Sequence, residues 1–344
     1  DGIVFVNVDP LTILDGVMIR GCTDGGPAFG EAAICGWFES SPTIRNCVIT
    51  RNQGLLAGAI LIEGGSPTLE NCVITENECL GWEGAIVCRF GASVRVVNCT
   101  IANNTSGGAV GGICAPDSAP RVRNSILWGN SGAQLSGGIS DVAGCVVQGG
   151  WEGQGGNTGA DPLLTRWTCR PRAGSAAIDA GVASGAWGAA PGTDIEGTAR
   201  AGLPDAGAYE FVDSDSDGMP DAWETAMGLN RADAGDAALD PDLDGLNNLA
   251  EYLNGSRAHL ADTDADGLDD SEEAILGTSP LEPDTDRDLL PDAWEFDNGL
   301  NPLDPLDFMS DADGDRFPAY YEYIKGTAAN DPASRPGESQ LRRV

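Results

Sequence analysis

The phrase Thr43-Ile-Arg-Asn-Cys-Val48 returns as Thr68-Leu-Glu-Asn-Cys-Val73 and is echoed by Thr12-Ile-Leu-Asp-Gly-Val17, Val94-Arg-Val-Val-Asn-Cys99 and Arg121-Val-Arg-Asn-Ser125. Cys47, Cys72, Cys99 and Ser125 align at a nearly constant interval, and Cys145 follows after a shorter one. A second marker, Ile34, Ile60, Ile86, Ile113 and Ile139, keeps the same interval more strictly, each Ile behind an Ala or Gly. A third is Asn52, Asn77, Asn104 and Asn130. Short alternating strands with Gly or Asn at the corners, repeated at that interval, mark a solenoid whose turns each give one strand to several parallel sheets. No rung buries its apolar side alone, so equivalent residues must stack in ladders about 4.8 Å apart. The isoleucine ladder is expected inside, with Cys47, Cys72 and Cys99 as small buried hydrophobes. The asparagines are expected at bends, their amides serving local backbone groups in unusual dihedrals. Cys22, Cys35, Cys79, Cys88, Cys114 and Cys169 lie off that ladder, and sequence does not pair them.

This pattern resembles the right-handed parallel β-helix proteins of bacteria, the architecture of pectate lyases and many exported surface proteins. The stretches Ala160-Asp-Pro-Leu-Leu164, Pro171-Arg-Ala-Gly-Ser-Ala-Ala-Ile-Asp-Ala-Gly181 and Asp205-Ala-Gly-Ala-Tyr-Glu-Phe211 resemble the closing segment common at the end of such coils. The resemblance implies structural roles for Asp179, Asp194 and Asp205, and a cap over the unpaired edges of the last rung.

Downstream, five acidic runs share one grammar: Asp213, Asp215, Asp217; Asp240, Asp242, Asp244; Asp262, Asp264, Asp266; Asp284, Asp286, Asp288; and Asp311, Asp313, Asp315. With the first Asp as position 1, position 12 is Glu224, Glu251, Glu273, Glu295 and Glu322. Position 9 is Asp221, Asn248, Asp270 and Asp292 in four loops and Ala319 in the fifth. Position 7, which would offer its carbonyl, is Met219, Leu246, Leu268, Leu290 and Phe317. Hard cations take six to eight oxygens, and this spacing wraps a loop around one Ca2+, with a bidentate Glu at position 12. Magnesium rarely uses all-protein cages. Position 6 wants a residue tolerant of positive φ; Gly218, Gly245 and Gly267 meet that need, whereas Leu289 and Arg316 do not. Three to five ions are therefore expected, the fifth loop being the least suited.

A Gly follows each position-12 Glu at the same distance, as Gly228, Gly255, Gly277, Gly299 and Gly326, so each loop should lead into a short helix stopped by a glycine cap. The loops begin at Asp213, Asp240, Asp262, Asp284 and Asp311, with longer steps at the two ends and shorter ones between. Pro220-Asp-Ala-Trp-Glu224 recurs three loops on as Pro291-Asp-Ala-Trp-Glu295. Trp223, Trp294, Tyr252, Tyr320 and Tyr321 are the expected apolar core. This segment resembles bacterial calcium repeats of the thrombospondin type-3 kind and, more loosely, the dockerin loop. The resemblance implies a stiffened stalk or spacer that sometimes mediates adhesion or docking.

The fold expected is thus an all-β right-handed parallel β-helix followed by a calcium-binding repeat segment of loops and short helices. Its domains would be 1–211, 212–326 and a tail or junction at 327–344 that ends in Arg342-Arg343. Charge supports the division. From position 211 onward there are 33 acidic and 8 basic residues, against 20 and 11 before it. Such an excess repels itself unless cations lie among the carboxylates. It also excludes nucleic acid, whose phosphates require Lys and Arg. No apolar run is long enough to span a bilayer. The chain opens at Asp1 inside the pattern, which reads as a piece of a longer, exported protein.

Catalysis is the competing class. Glu31, Glu39, Glu63, Glu70, Glu76, Glu83, Asp117, Arg45, Arg89, Arg95, Arg121 and Arg123 fall on the coil, as polysaccharide lyases and hydrolases of this fold require. Glu63 and Arg89, and Arg95 and Arg121, are each one repeat apart and predict neighbouring rungs. Solvated charges on a solenoid face explain the same pattern, and fold alone licenses no activity. The only His, His259, lies among the acidic loops, away from any Ser or Cys partner set. The Gly-rich stretch 149–159 lacks the lysine of a nucleotide loop. The sequence therefore points to a non-catalytic, calcium-stabilised structural or adhesive module, extracellular or on the cell surface. An envelope or matrix protein, or a second copy of the chain, is its expected partner. A polysaccharide-binding or polysaccharide-degrading protein is the alternative, with a glycan meeting exposed Trp37, Phe38 and Trp82.

Overall fold

Parallel pairing dominates residues 2–151. In the computed structural model, which describes residues 2–23, 32–139, 141–151, 155–185 and 188–336, three parallel sheets of six strands run along this stretch, with a fourth of three strands. Each turn contributes one strand to each of the three larger sheets, the organisation of a β-helix. Among the described residues two compact units are distinguished. One is Asp1–Leu164 with Cys169–Asp213 and Pro220–Ala222; the other is Thr165–Thr168, Ser214–Met219 and Trp223–Val344.

The isoleucine ladder forms as expected over its first four members: Ile34 pairs with Ile60, Ile60 with Ile86 and Ile86 with Ile113, all fully buried. Its fifth member is different. Leu135, not Ile139, lies opposite Ile113, because the turn joining the strands Val110–Ala115 and Ala133–Gly137 is shorter than the turns before it. The final turn is short, and Ile139 packs only partly buried against the core. Cys47, Cys72, Cys99 and Cys145 line the same core. Their thiols donate to nearby carbonyls, as Cys47 does to Arg45 at 3.0 Å and Cys72 to Glu70 at 3.3 Å.

Asn52, Asn77, Asn104 and Asn130 are buried and hydrogen-bonded from rung to rung. The side-chain oxygen of Asn104 accepts from the Asn77 backbone N–H and amide at 2.9 Å each, while its own amide donates to the carbonyls of Ile74 and Ala102. The unusual dihedrals fall elsewhere. They belong to the residues just before, Arg51, Glu76, Asn103 and Gly129, and to a separate ladder, Asn46, Asn71, Asn98 and Asn124, at φ of 47–51°. The side-chain amide bonds a backbone carbonyl of its own bend as well as one on the adjoining rung, as expected, but the positive φ falls one residue earlier.

That second asparagine row receives the returning chain. Asn71 donates to the Thr193 carbonyl, Asn98 to that of Asp205, and Asn124 to that of Val182. The closing segment thus lies along the flank of the coil instead of capping its end. The last rung is continued by Asn157 and Thr158, which bond Cys145 and Val147. Asp205 accepts from Asp179 and Phe211, and Asp194 from Glu196, Thr198 and Glu210, which ties the turns together. Arg200 and Glu210 form a buried ion pair at 2.9 Å beside them.

The second unit is built from loops and short helices. Five helices of equal length recur among the described residues: α1 (Asp221–Met227), α2 (Asn248–Asn254), α3 (Asp270–Leu276), α4 (Asp292–Asn298) and α5 (Ala319–Lys325). Each begins at position 9 of its loop and ends at the expected glycine, which has φ between 69° and 90°. The recurrence of the Pro-Asp-Ala-Trp-Glu phrase appears as two small cores. Met219, Trp223, Ala237, Tyr252 and Ala258 form one, and Leu290, Trp294, Phe308, Ala319 and Ala329 the other. Trp223 meets Tyr252 edge to face at 5.4 Å, and Trp294 meets Tyr323 at 5.3 Å. Tyr323 was not among the expected core aromatics. Tyr320 meets Phe308 of the second core, as expected, and Tyr321 stacks on Phe317.

Candidate metal centre

Each acidic loop folds on its own carboxylates. In the second loop Asp240 accepts from the N–H groups of Leu243 and Gly245, and Asp244 from Leu246; Asp262 and Asp266, then Asp284 and Asp288, repeat the arrangement. The position-9 N–H closes every loop by donating to the carbonyl just before position 1, from Val212 in the first loop to Ser310 in the fifth. The backbone is left-handed at two points. At position 6 Leu289 and Arg316 adopt φ of 85° and 81°, near the glycines at 100–110°. Position 4, which the sequence did not flag, is also left-handed at Ser216, Leu243, Ala265 and Arg287, and in the fifth loop at Gly314. The fifth loop thus has its glycine at the other strained position.

In the second to fourth loops this folding leaves carboxylate oxygens buried with no hydrogen-bond donor. In the second loop these are Oδ2 of Asp242 and Asp244 and both oxygens of Glu251. Asp264 Oδ2 and Glu273 Oε2 repeat this in the third loop, and Asp286 Oδ2, Asp288 Oδ2 and both oxygens of Glu295 in the fourth. Glu251, Glu273 and Glu295 are fully buried. Buried anionic oxygens without donors cost several kcal/mol each by order of magnitude unless a cation compensates. Loss of solvent first, and the neighbouring carboxylates second, push Glu251 up to about 8 and Glu273 and Glu295 up to about 9. Asp264 and Asp286 rise to about 7 for the same reasons. The donor set, hard anionic oxygen, fits a divalent cation.

The sequence-predicted residues gather as follows. Asp240, Asp242 and Asp244 bring one oxygen each within 4.8 Å of one another, as do Asp262, Asp264 and Asp266. The first loop falls across the division of units: Asp213 and Asp221 belong to the first, Asp215, Asp217, Met219 and Glu224 to the second. In the fifth loop Asp313 Oδ2 and Glu322 Oε1 are buried without partners, but Arg335 stands 3.4 Å from Asp315 Oδ2. At position 7, Met219, Leu268 and Leu290 are buried, whereas Leu246 and Phe317 are half-buried.

Position 9 behaves differently from the pattern. Both oxygens of Asp270 hold Thr263, accepting from its N–H at 2.9 Å and its hydroxyl at 2.8 Å; Asp292 holds Thr285 likewise. An oxygen of Asp270 nevertheless lies within 4.8 Å of Asp244 and Glu251 in the preceding loop. A matching group consists of Asp217, Glu224 and Asp236. Asp236 was missed in the sequence, because it lies in the 3-10 turn Asp236–Ala238, beyond position 12 of its loop. The only signal for it was the longer step from Asp213 to Asp240.

On the coil, Glu63 and Arg89 are register partners, and so are Arg95 and Arg121, as their spacing predicted. Arg89 pairs with Glu83 and Arg51 with Glu76, both at 2.6 Å, and Asp117 accepts from the Phe90 N–H. Phe38 and Trp82 are exposed, but Trp37 is half-buried against Cys35 and Leu61. Glu31 and Arg342–Arg343 lie outside the described residues. Among the described residues no helix is long and apolar enough to cross a membrane.

Comparison with curated proteins and with solved structures yields no match. Comparison with family models finds one, covering the coil and none of the acidic loops: residues 11–148 are similar to the family described as right handed beta helix region.

Proposed function

We propose that this chain is a non-catalytic structural or adhesive module of a secreted or cell-surface protein. In this reading its β-helix is a rigid scaffold, and its acidic unit is a calcium-binding repeat segment. The observation that carries the reading is the recurrence, in successive loops, of buried carboxylate oxygens with no donor, arranged in one spacing. Calcium suits them better than magnesium because the loops offer many protein oxygens in a flexible ring. The residues that would hold it are the position 1, 3 and 5 aspartates, the position-7 carbonyl and the position-12 glutamate. Bound ions would cancel the repulsion within the acidic unit, so binding energy becomes folding energy. Multi-carboxylate loops of this kind work where calcium is millimolar, which favours the exterior of the cell.

Calorimetry of the full chain with calcium chloride tests this, with circular dichroism before and after chelation. At least three binding events, and loss of helix on chelation, are expected; one event or none defeats the proposal. Glycan contact is the second reading, favoured by Trp82 at 84% exposure and Phe38 at 71%. Equal retention of Trp82→Ala and the parent chain on a polysaccharide column would oppose it.

A further inference from the structure

Position 9 varies in a way that follows the spacing of the loops. At the two shorter steps, from Asp240 to Asp262 and from Asp262 to Asp284, the second loop carries an Asp there, Asp270 or Asp292. At the two longer steps, into the loops at Asp240 and Asp311, position 9 is Asn248 or Ala319. The added residues form a 3-10 turn beginning at Asp236 or Asp307. The two turns are equivalent: Asp236 Oδ2 accepts from the Asn230 N–H at 2.9 Å, and Asp307 Oδ2 from that of Asn301 at 2.8 Å. In each the other oxygen is buried and has no hydrogen-bond donor. Asn248 donates to the Asp236 carbonyl at 2.8 Å, so the turn takes the place that an acid at position 9 would fill.

Each of these acids faces the loop before it. Asp236 groups with Asp217 and Glu224, and Asp270 with Asp244 and Glu251. Beside Asp292, the Ala293 N–H donates to Asp266 Oδ2 at 3.1 Å, and Ser271, next to Asp270, donates to the Asp244 carbonyl at 2.8 Å. The fully buried, donorless oxygens of Glu251 and Glu295 mark where such an acid would meet an ion.

We infer that the first four calcium centres are each completed by a carboxylate of the following repeat, Asp236, Asp270, Asp292 and Asp307 in turn, so that the ions link successive repeats into one chain. The inference rests on the calcium reading above. In the fifth loop Arg335 occupies the side of Asp315 instead. Ion binding should therefore be cooperative along the unit, with the fifth loop the last to fill.

Trp223 and Trp294, at position 11 of the first and fourth loops, give each of these a local probe through sensitised terbium luminescence. The full chain would be titrated with terbium as parent, Asp236→Asn and Asp307→Asn, with Trp294→Phe or Trp223→Phe isolating one signal. Calorimetry with calcium would count the ions. Losing one ligand charge should weaken the loop before it on the order of tenfold. Asp236→Asn should thus move the Trp223 signal and Asp307→Asn the Trp294 signal, while Asp233→Asn moves neither. If the parent binds several ions and neither variant shifts its own signal, the inference is wrong and the calcium reading stands. If the parent binds one ion or none, both fall. Unchanged helical circular dichroism at saturating calcium identifies variants that have folded.

Discussion

Leu289 shows how much a single backbone angle matters in these loops. A side chain at φ of 85° costs about 1–2 kcal/mol relative to its preferred conformation, and glycine avoids that cost. Since glycine also gains freedom in the unfolded chain, Leu289→Gly should stabilise the calcium-loaded protein by up to about 1 kcal/mol. Gly245→Ala should destabilise by a similar amount. Urea unfolding at saturating calcium compares the two. The carboxylates themselves give a pH dependence. In metal-free protein Glu273 and Glu295 titrate near 9, against an ordinary value of 4.5. Between those values the folded unit binds more protons than the unfolded chain, so its stability rises as pH falls from about 9 toward 4.5 and is level below. The calcium-loaded protein should behave oppositely, losing ions as the ligands protonate. Melting curves with chelator and with calcium, across that range, should slope in opposite directions.

At the scale of elements, the asparagine ladder joins one rung to the next through side chains as well as through strand pairing. Removing the Asn104 side chain would orphan the Asn77 N–H and the carbonyls of Ile74 and Ala102 within the core. Each unsatisfied group costs about 1–3 kcal/mol, so Asn104→Ala should destabilise the coil by about 3 kcal/mol or more. Chemical denaturation followed by circular dichroism in the β-sheet band would measure it, with exposed Asn330→Ala as control. Sequence periodicity revealed this ladder because stacking forces equivalent residues to recur at one interval. It failed at Ile139, because the last turn is shorter than the repeat and brings Leu135 opposite Ile113, while an isoleucine still falls at the old interval. The acidic clusters were legible for the same reason that the ladders were, since the frame from position 1 to position 12 is local. Asp236 was not, because it groups with Asp217 and Glu224 only once the chain has folded. The left-handed residues at position 4 were equally hidden, as Ser216, Leu243, Ala265 and Arg287 share no composition that would announce them.

Across the whole molecule, two different principles of cohesion are present in one chain. The coil is held by apolar ladders and backbone pairing, neither of which needs a cation. The acidic unit has two small aromatic clusters and an excess of carboxylate. Calorimetric scans should accordingly show a transition that chelator shifts downward and another that it leaves in place. A single transition moving as one would contradict that separation.

The line of thiols running up the coil offers a clock. Cys72, Cys88 and Cys99 are wholly buried, and loss of solvent holds Cys72 and Cys88 far above the range in which thiolate forms. An alkylating reagent can reach such sulfur only when its own rung opens. Timed labelling read by mass spectrometry would then date the unravelling of each turn separately, and show from which end the spring uncoils.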